Sequence, residues 1–405
     1  MNILGLESLF SCKGYCVGDG RANDQLMQVN LLVDKRFRLK CPCCQSSVSV
    51  NRSYHSLIRD LPVGPIKHVF IRIPIRQGRC WTCGKTHTFK PDIAASGPRV
   101  TTRLMRLTAA LCQYLPVVRV AEYLAVPESN IRHWNRVYLE STLGPPDVDS
   151  LRYLLIDEKS IGRRHSYATI VLNALNSELL HMAPGKKKAS LKSFFDTLTD
   201  EQKQRIQAVC VDRSGSYTAC VEACLPDAKI AYDKFHLVSN FNAVIDTIRR
   251  DIWNQARKNK DISMVELIKG QRYNLLRNRH KNTPQQQERL DELLRFNAPL
   301  SEAYLLLDSF KHLLSTSDAL QVRLDLMDWI VMASQSCRQE IVRFAGNLAD
   351  AVDRIVNAVK YNLNNGLVER FNRKIGMVIN RSCGCKNLNY LFLNLRQLSK
   401  KPIPL

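Results

Sequence analysis

Tyr153-Leu154-Leu155-Ile156-Asp157 is a short apolar run that ends in an acid, and Ile206-Gln207-Ala208-Val209-Cys210-Val211-Asp212 repeats the pattern later in the chain. Runs of this length and composition read as buried strands. Between them, Tyr167–Asn173 and Glu178–Met182 read as two more strands with short connections, an antiparallel meander whose first strand is buried enough to be central. Residues 190–198 and 217–224 carry helical spacing, and 228–232 form a further strand-like run that leads into Asp233-Lys234-Phe235-His236.

Acids at neighbouring strand ends can be held within reach of two cations about 3.5 to 4 Å apart, the spacing used by two-metal phosphoryl transfer. A third acid is required. Asn364-Asn365-Gly366-Leu367-Val368-Glu369-Arg370-Phe371-Asn372 supplies Glu369 on a helix that Leu367, Phe371 and Ile375 can dock to the sheet. Taken singly, each acid would more commonly be a solvated or ion-paired surface group. The ordered set of three points to phosphoryl transfer instead.

The chain has 405 residues, enough for more than one core, with 45% hydrophobic and 24% charged residues, which excludes a disordered composition. Lys and Arg number 59 against 37 Asp and Glu, a formal charge of +22. A surface that basic favours a polyanion through phosphate contact and counterion release. No apolar run reaches the roughly 18 to 20 residues of a membrane span, and no signal peptide is evident, so a reduced bacterial cytoplasm at the nucleoid is the expected location, without membrane association.

In that compartment close-spaced cysteines read first as metal ligands. Cys41-Pro42-Cys43-Cys44 and Cys80-Trp81-Thr82-Cys83 are two knuckles that aim four thiols at one tetrahedral structural zinc, with Cys43 pointing elsewhere. The stretch between them includes Val69-Phe70-Ile71-Arg72-Ile73-Pro74-Ile75-Arg76, alternating as a strand does, so residues 1–97 are expected to form a zinc ribbon. His87 is an alternative ligand, and four metal-free cysteines are the bland reading. Lys35, Arg36, Arg38, Lys40, Arg72, Arg76 and Arg79 surround the knuckles, as phosphate contacts or as a solvated face.

Residues 98–146 carry three helical stretches, the last preceded by Ser129 and Asn130 as N-cap candidates. That is a helix-turn-helix pattern whose final helix would present Arg132, His133, Asn135 and Arg136 to DNA, with Trp134 in the core. An ordinary helical hairpin is the alternative. Gly144-Pro145-Pro146 reads as a linker.

The interval from Asp212 to Glu369 has helical spacing over 238–255, 290–314 and 320–359, so an all-helical insertion, residues 241–359, is expected to split a core made of 150–240 and 360–400. Arg249, Arg250, Arg257, Lys258, Arg277 and Arg279 lie in it near Trp253 and Tyr273, a composition suited to DNA strands or equally to a solvated basic face.

The order of zinc ribbon, helix-turn-helix, Leu154-Leu155-Ile156-Asp157, Val209-Cys210-Val211-Asp212, Asp233-Lys234-Phe235-His236 and Asn365-Gly366-Leu367-Val368-Glu369 resembles the transposases of the ISL3 group of bacterial insertion sequences over nearly the whole chain. The resemblance implies a multidomain α+β protein with an RNase H-like mixed α/β catalytic core, and cleavage and strand transfer at terminal inverted repeats by a DDE mechanism. It implies that Asp157, Asp212 and Glu369 hold two Mg²⁺ or Mn²⁺ ions, with Asp233 and His236 in supporting roles. Double-stranded DNA, at transposon ends and target, is the implied partner, and paired ends imply a homodimer or larger assembly. The chain departs from the group's usual wording at Arg213-Ser214-Gly215-Ser216-Tyr217 and at Arg370. An inactivated transposase, or a non-catalytic DNA-binding regulator built on the N-terminal region, is the alternative reading.

Overall fold

The computed structural model describes residues 10, 12–162, 166–363, 366–381 and 387–404, with the backbone alone given for 366–370. The chain divides into two compact units, Met1–Pro145 with Met377–Leu405, and Pro146–Gly376. Among the described residues no helix is long and apolar enough to cross a membrane.

The first unit begins with strands β1 (Tyr15–Ala22), β2 (Leu26–Val33), β3 (Val48–Asp60), β4 (His68–Cys80) and β5 (Thr86–Phe89). They form one sheet in the order β1-β2-β4-β3, with β5 also paired to β4. Strand β4 is its spine: Val69, Ile71, Ile73 and Ile75 are all buried and pack with Met27, Val29, Leu31 and Ile58. The period of two read from the sequence thus becomes one apolar face. The long β3–β4 ladder pairs Val48 with Cys80 and Asp60 with Val69, which carries the chain from one end of the sheet to the other. Its bulge near Val50 needs Gly78, where a Cβ would lie 2.6 Å from the Ser49 carbonyl oxygen.

Helices α1 (Thr102–Cys112), α2 (Val117–Leu124) and α3 (Glu128–Leu143) follow and share a core of Leu104, Val120, Leu124, Ile131 and Trp134. Thr101 caps α1 by accepting from the Leu104 amide at 3.2 Å, while its hydroxyl donates to Asp60 at 2.7 Å. Asp60 is 1% exposed and also takes Arg103 Nε at 2.8 Å. Removing a buried acid that satisfies a cap and a guanidinium leaves both unpaired, so Asp60→Ala is expected to destabilise the first unit by about 3 kcal/mol, the low end for a buried pair because Arg103 is partly exposed. Urea denaturation measures it, and a change within experimental error would refute the account. The third helix starts two to three residues earlier than the sequence predicts: Pro127 is the N-cap residue, and Ser129 and Asn130 lie inside the first turn.

The second unit holds β6 (Tyr153–Ser160), β7 (Tyr167–Asn173), β8 (Leu179–Pro184), helices α4 (Lys188–Phe195) and α5 (Asp200–Gln204), β9 (Ala208–Val211), α6 (Gly215–Cys224) and β10 (Lys229–Tyr232). The sheet order is β10-β9-β6-β7-β8. Strands β6, β7 and β8 run antiparallel, whereas β9 and β10 lie parallel to β6. Leu154, Leu155, Ile156 and Asp157 are all buried, as befits a central strand covered on both faces.

A helical series continues: α7 (Lys234–Lys258), α8 (Ile262–Ile268), α9 (Arg272–Leu276), α10 (Pro284–Phe296), α11 (Ala298–Ser315), α12 (Ala319–Ser334), α13 (Gln339–Ala349), α14 (Val352–Lys360), α15 (Gly366–Arg381) and α16 (Leu388–Gln397). The stretch 290–314, expected to be helical, is so in two pieces that meet at Asn297, whose side chain caps the Leu300 amide at 3.0 Å. Residues 320–359 likewise divide into three helices.

Two boundaries differ from those expected. Residues 241–359 share one hydrophobic core with the second sheet, because Phe241, Phe310, Trp329 and Phe344 belong to the same buried cluster as Leu154 and Val209. Residues 377–405 group with the first unit rather than with 150–240. Long-range hydrogen bonds hold them there: Asn135 on α3 donates to Tyr390 Oη at 2.7 Å and to Asn394 Oδ1 at 3.2 Å, and Arg396 donates to the Gly144 carbonyl at 2.8 Å.

Candidate active site

The parallel pairing of β6 with β9 sets Leu155 opposite Cys210, so Asp157 and Asp212 each follow two residues beyond the same rung. The pairing of β9 with β10 sets Val211 opposite Tyr232, so Asp212 and Asp233 each come next. Register alone thereby brings three carboxylates alongside one another: Asp212 and Asp233 stand just past the ends of β9 and β10, whereas β6 does not end in its acid as expected but runs on to Ser160, with Asp157 inside it paired to Ile170 of β7. Asp157 is 6% exposed; its Oδ1 accepts from the Glu158 amide at 2.8 Å and its Oδ2 from Asn372 Nδ2 at 2.7 Å. Asp212 accepts from the Ser214 amide at 3.1 Å.

Burial raises the carboxyl pKa of Asp157, against the lowering effect of Asn372 and the Glu158 amide, and burial raises Asp212 in the same way. Neither acid has a Lys or Arg ion pair within 4.0 Å among the described residues. Two half-compensated, oxygen-only donors in a buried setting are a place where a hard divalent cation would relieve the charge. Glu158 is turned toward Lys186, 3.9 Å away.

Asp233 and His236 have another task. Asp233 is 1% exposed and caps α7, accepting from the amides of Phe235 at 3.0 Å and His236 at 3.2 Å. Its Oδ2 also lies 2.7 Å from His236 Nδ1. That carboxylate raises the pKa of His236, and Asp157 and Asp212 raise it further. A capped and paired Asp233 braces the start of α7 and leaves the imidazole facing the two other acids.

Glu369 falls on the backbone of α15, and its side chain lies outside the described residues. Phe371 and Ile375 of the same helix are buried, as expected; Leu367 is outside the described side chains. Asn372 is a residue of the site that was not expected from the sequence; its one signal there is its position three beyond Glu369, which shares its helical face. Asn372 Oδ1 is buried and has no hydrogen-bond partner among the described residues. Asn372→Ala is expected to slow any reaction of the site by about 10- to 100-fold, as loss of a group orienting a metal ligand does, and to raise the Mg²⁺ concentration needed. An unaltered metal titration and rate would remove Asn372 from the site.

In the first unit the four expected thiols converge. Cys41 Sγ lies 3.6 Å from Cys83 Sγ and Cys44 Sγ 3.4 Å from Cys80 Sγ, and all four sulfurs are within 4.8 Å of one another. Zinc–sulfur bonds of about 2.3 Å require sulfurs about 3.8 Å apart, so the cluster matches a tetrahedral ion. The knuckles are built alike: Gln45 N–H closes on the Cys41 carbonyl at 2.9 Å and Gly84 N–H on that of Cys80 at 2.8 Å, both residues at positive φ. The Ser46 hydroxyl and amide pull the Cys44 thiol down to about 6. Cys83 stands up at about 11, since burial and the neighbouring thiols outweigh the Lys85 amide. His87 Nε2 sits 3.3 Å from Cys41 Sγ, and with Cys41 and Cys43 it forms a second close group.

The basic residues are less uniform than expected. On α3, Arg132 and His133 are exposed and Arg136 half-exposed; Arg132 pairs with Glu128 at 2.6 Å and Arg136 approaches Glu140 at 3.8 Å. Asn135 is 1% exposed and committed to Tyr390, so it cannot reach a base edge as the sequence reading expected. Arg249 is likewise mostly covered and paired with Asp246 at 2.8 Å, which makes it a brace within α7. Arg250, Lys258 and Arg277 are exposed, Arg257 lies 4.8 Å from the Trp253 ring centre, and Arg279 pairs with Asp291 at 3.2 Å.

Comparison with known proteins matches residues 154–395 to a family described as Transposase, that of the ISL3 group. The chain is 32% identical over 340 residues to the transposase for insertion sequence element IS1001 of Bordetella parapertussis, covering 84% of this chain and 83% of that one. It is also 31% identical over 258 residues to the transposase for insertion sequence element IS1557 of Mycobacterium tuberculosis, covering 59% of this chain and 58% of the relative. The matched span starts inside β6 and ends inside α16, and so contains every acid of the site: the chain belongs to the ISL3 group of transposases.

Proposed function

We propose that this chain cuts DNA at the ends of its element and joins the freed 3′ ends to a target, using Asp157, Asp212 and Glu369 as the ligands of two divalent ions. The observation that carries the reading is the convergence of buried Asp157, inside β6, and partly buried Asp212, just past the end of the parallel β9, neither with a Lys or Arg ion pair among the described residues. The sheet order β10-β9-β6-β7-β8, with its antiparallel meander and two parallel strands, supports an RNase H-like core. The donor set fits Mg²⁺ or Mn²⁺, being carboxylate oxygen with the unpartnered Asn372 Oδ1 beside it. Bound there, such ions supply Lewis-acid activation of water and then of a 3′ hydroxyl, and stabilise the leaving oxygen.

The protein's part is to hold the acids still. Asn372 fixes the Asp157 carboxylate, the Ser214 amide fixes Asp212, and Asp233 fixes His236 opposite both. Zinc held by Cys41, Cys44, Cys80 and Cys83 stiffens a basic sheet, and α1–α3 serve as a helix-turn-helix in which Arg132, His133 and Arg136 contact DNA. Arg250, Arg257, Lys258, Arg277 and Arg279 supply further phosphate contacts, and two copies act on paired ends.

The test is an assay on duplex DNA carrying the flanking inverted repeats, with Mg²⁺ or Mn²⁺ and with chelator. Joined product that appears only with metal supports the reading. Cleavage without joining makes the protein a nuclease, and end binding without any metal-dependent chemistry makes it a regulator or an inactivated transposase.

A further inference from the structure

The first unit contains a charged cavity that the zinc centre does not require. Arg76, on β4, is 6% exposed, and its Nε and Nη2 have no hydrogen-bond partner among the described residues. It lines a cavity of 480 Å³ whose wall also carries Lys13, Arg38, Lys40 and Lys90, against the single carboxylate of Asp92. Three rings line it: Phe89, and two that sit beside a cation, Tyr15 lying 5.3 Å from the Arg76 guanidinium and Phe37 5.8 Å from Lys13 Nζ.

A guanidinium removed from water with two N–H groups unpaired is costly, and a ring face compensates it only in part. Five cations around one space add mutual repulsion. An anion with several acceptor oxygens would resolve both at once, because the planar fork of Arg matches a phosphate and the lysines satisfy its remaining charge. The cavity is larger than a phosphate alone. Its volume lies in the range of small-molecule sites, with room for an attached sugar or base against Tyr15 and Phe37.

We propose that this cavity seats one phosphate of a DNA strand, with the adjoining nucleotide against Tyr15 and Phe37. The identity of the strand rests on the proposed function; the phosphate chemistry does not. Bound DNA therefore gains from a group that is a liability in the free protein.

The experiment compares the native full chain with Arg76→Met and with the exposed-residue double variant Lys13→Ala/Lys90→Ala. Zinc content and melting temperature are read first: Arg76→Met should keep its zinc and melt no lower than the native chain. Binding to duplex DNA is then measured across salt concentrations. Loss of one phosphate contact should make the slope of log K against log salt shallower by about 0.9 for Arg76→Met. The double variant should also show a shallower slope. A parallel arm adds dAMP at millimolar concentration, which should raise the melting temperature of the native chain and not of Arg76→Met.

Unchanged salt slopes in both variants overturn the proposal. Stabilisation by dAMP with unchanged slopes overturns the DNA assignment and makes the source a free nucleotide. If Arg76→Met loses zinc or unfolds, the double variant decides alone, an unaltered slope overturning the proposal and a shallower one supporting it. If the native chain binds no DNA the proposed function fails, and the dAMP arm still tests the phosphate site: a melting shift abolished in Arg76→Met upholds it, and no shift overturns it.

Discussion

Asp212→Asn and Asp157→Ala proteins are expected to bind terminal-repeat DNA as the native chain does and to form joined product at least about 10³-fold more slowly, the scale on which catalytic groups that act as a unit fail. Asp212→Asn is the cleaner variant. Its retained oxygen can still accept from the Ser214 amide, so only the charge is lost. Burial already disfavours the ionised form of Asp212, hence Asp212→Asn should not lower the melting temperature, whereas Asp157→Ala leaves Asn372 Nδ2 and the Glu158 amide without their acceptor and should melt lower. Asp212→Asn therefore separates a catalytic role from a structural one: a structural acid such as Asp60, satisfied by Thr101 and Arg103, should unfold its surroundings when removed. Near-native joining by Asp212→Asn would refute the site.

Zinc removal should have the second large effect. Cys41 and Cys80 are fully buried and four sulfurs gather within 4.8 Å, a cluster that without metal brings thiol next to thiolate. Structural zinc sites contribute about 10 to 16 kcal/mol of apparent binding energy to folding. Chelation, or Cys80→Ala, is therefore expected to abolish binding of about one zinc per chain and to melt the first sheet, because Cys80 ends β4 opposite Val48. DNA binding should fall with it. His87→Ala should retain the zinc, since four thiolates already complete a tetrahedron. Metal analysis with circular dichroism checks both, and a zinc-free protein with unchanged melting would show that the cysteines are not a structural centre.

Features whose cause is local could be read directly. A cysteine knuckle is a short hairpin, and the positive φ of Gln45 and Gly84 appears in the matching position of each. Acid-terminated apolar runs are strands because their side chains leave no polar face, and register then brings Asp157 and Asp212 together. Hydrophobic period shows that the long stretches are helical but not where they break, as at Asn297, because the period continues through a break that one side-chain hydrogen bond enforces.

Nothing local announces that Asn372 reaches Asp157 across 215 positions, that Asn135 is spent on Tyr390, or that Arg249 is absorbed by Asp246. Polar side chains carry no period that reports their partners: the same Asn or Arg serves a base edge, a carboxylate or a buried tyrosine according to what packing sets beside it. The chain alone therefore specified its strands, its thiol knuckles and its acids, whose backbone and spacing are governed by neighbours in sequence. Folding in three dimensions assigned which polar groups are braces and which are left unpaired, Arg76 among them, because burial and hydrogen bonding depend on neighbours in space.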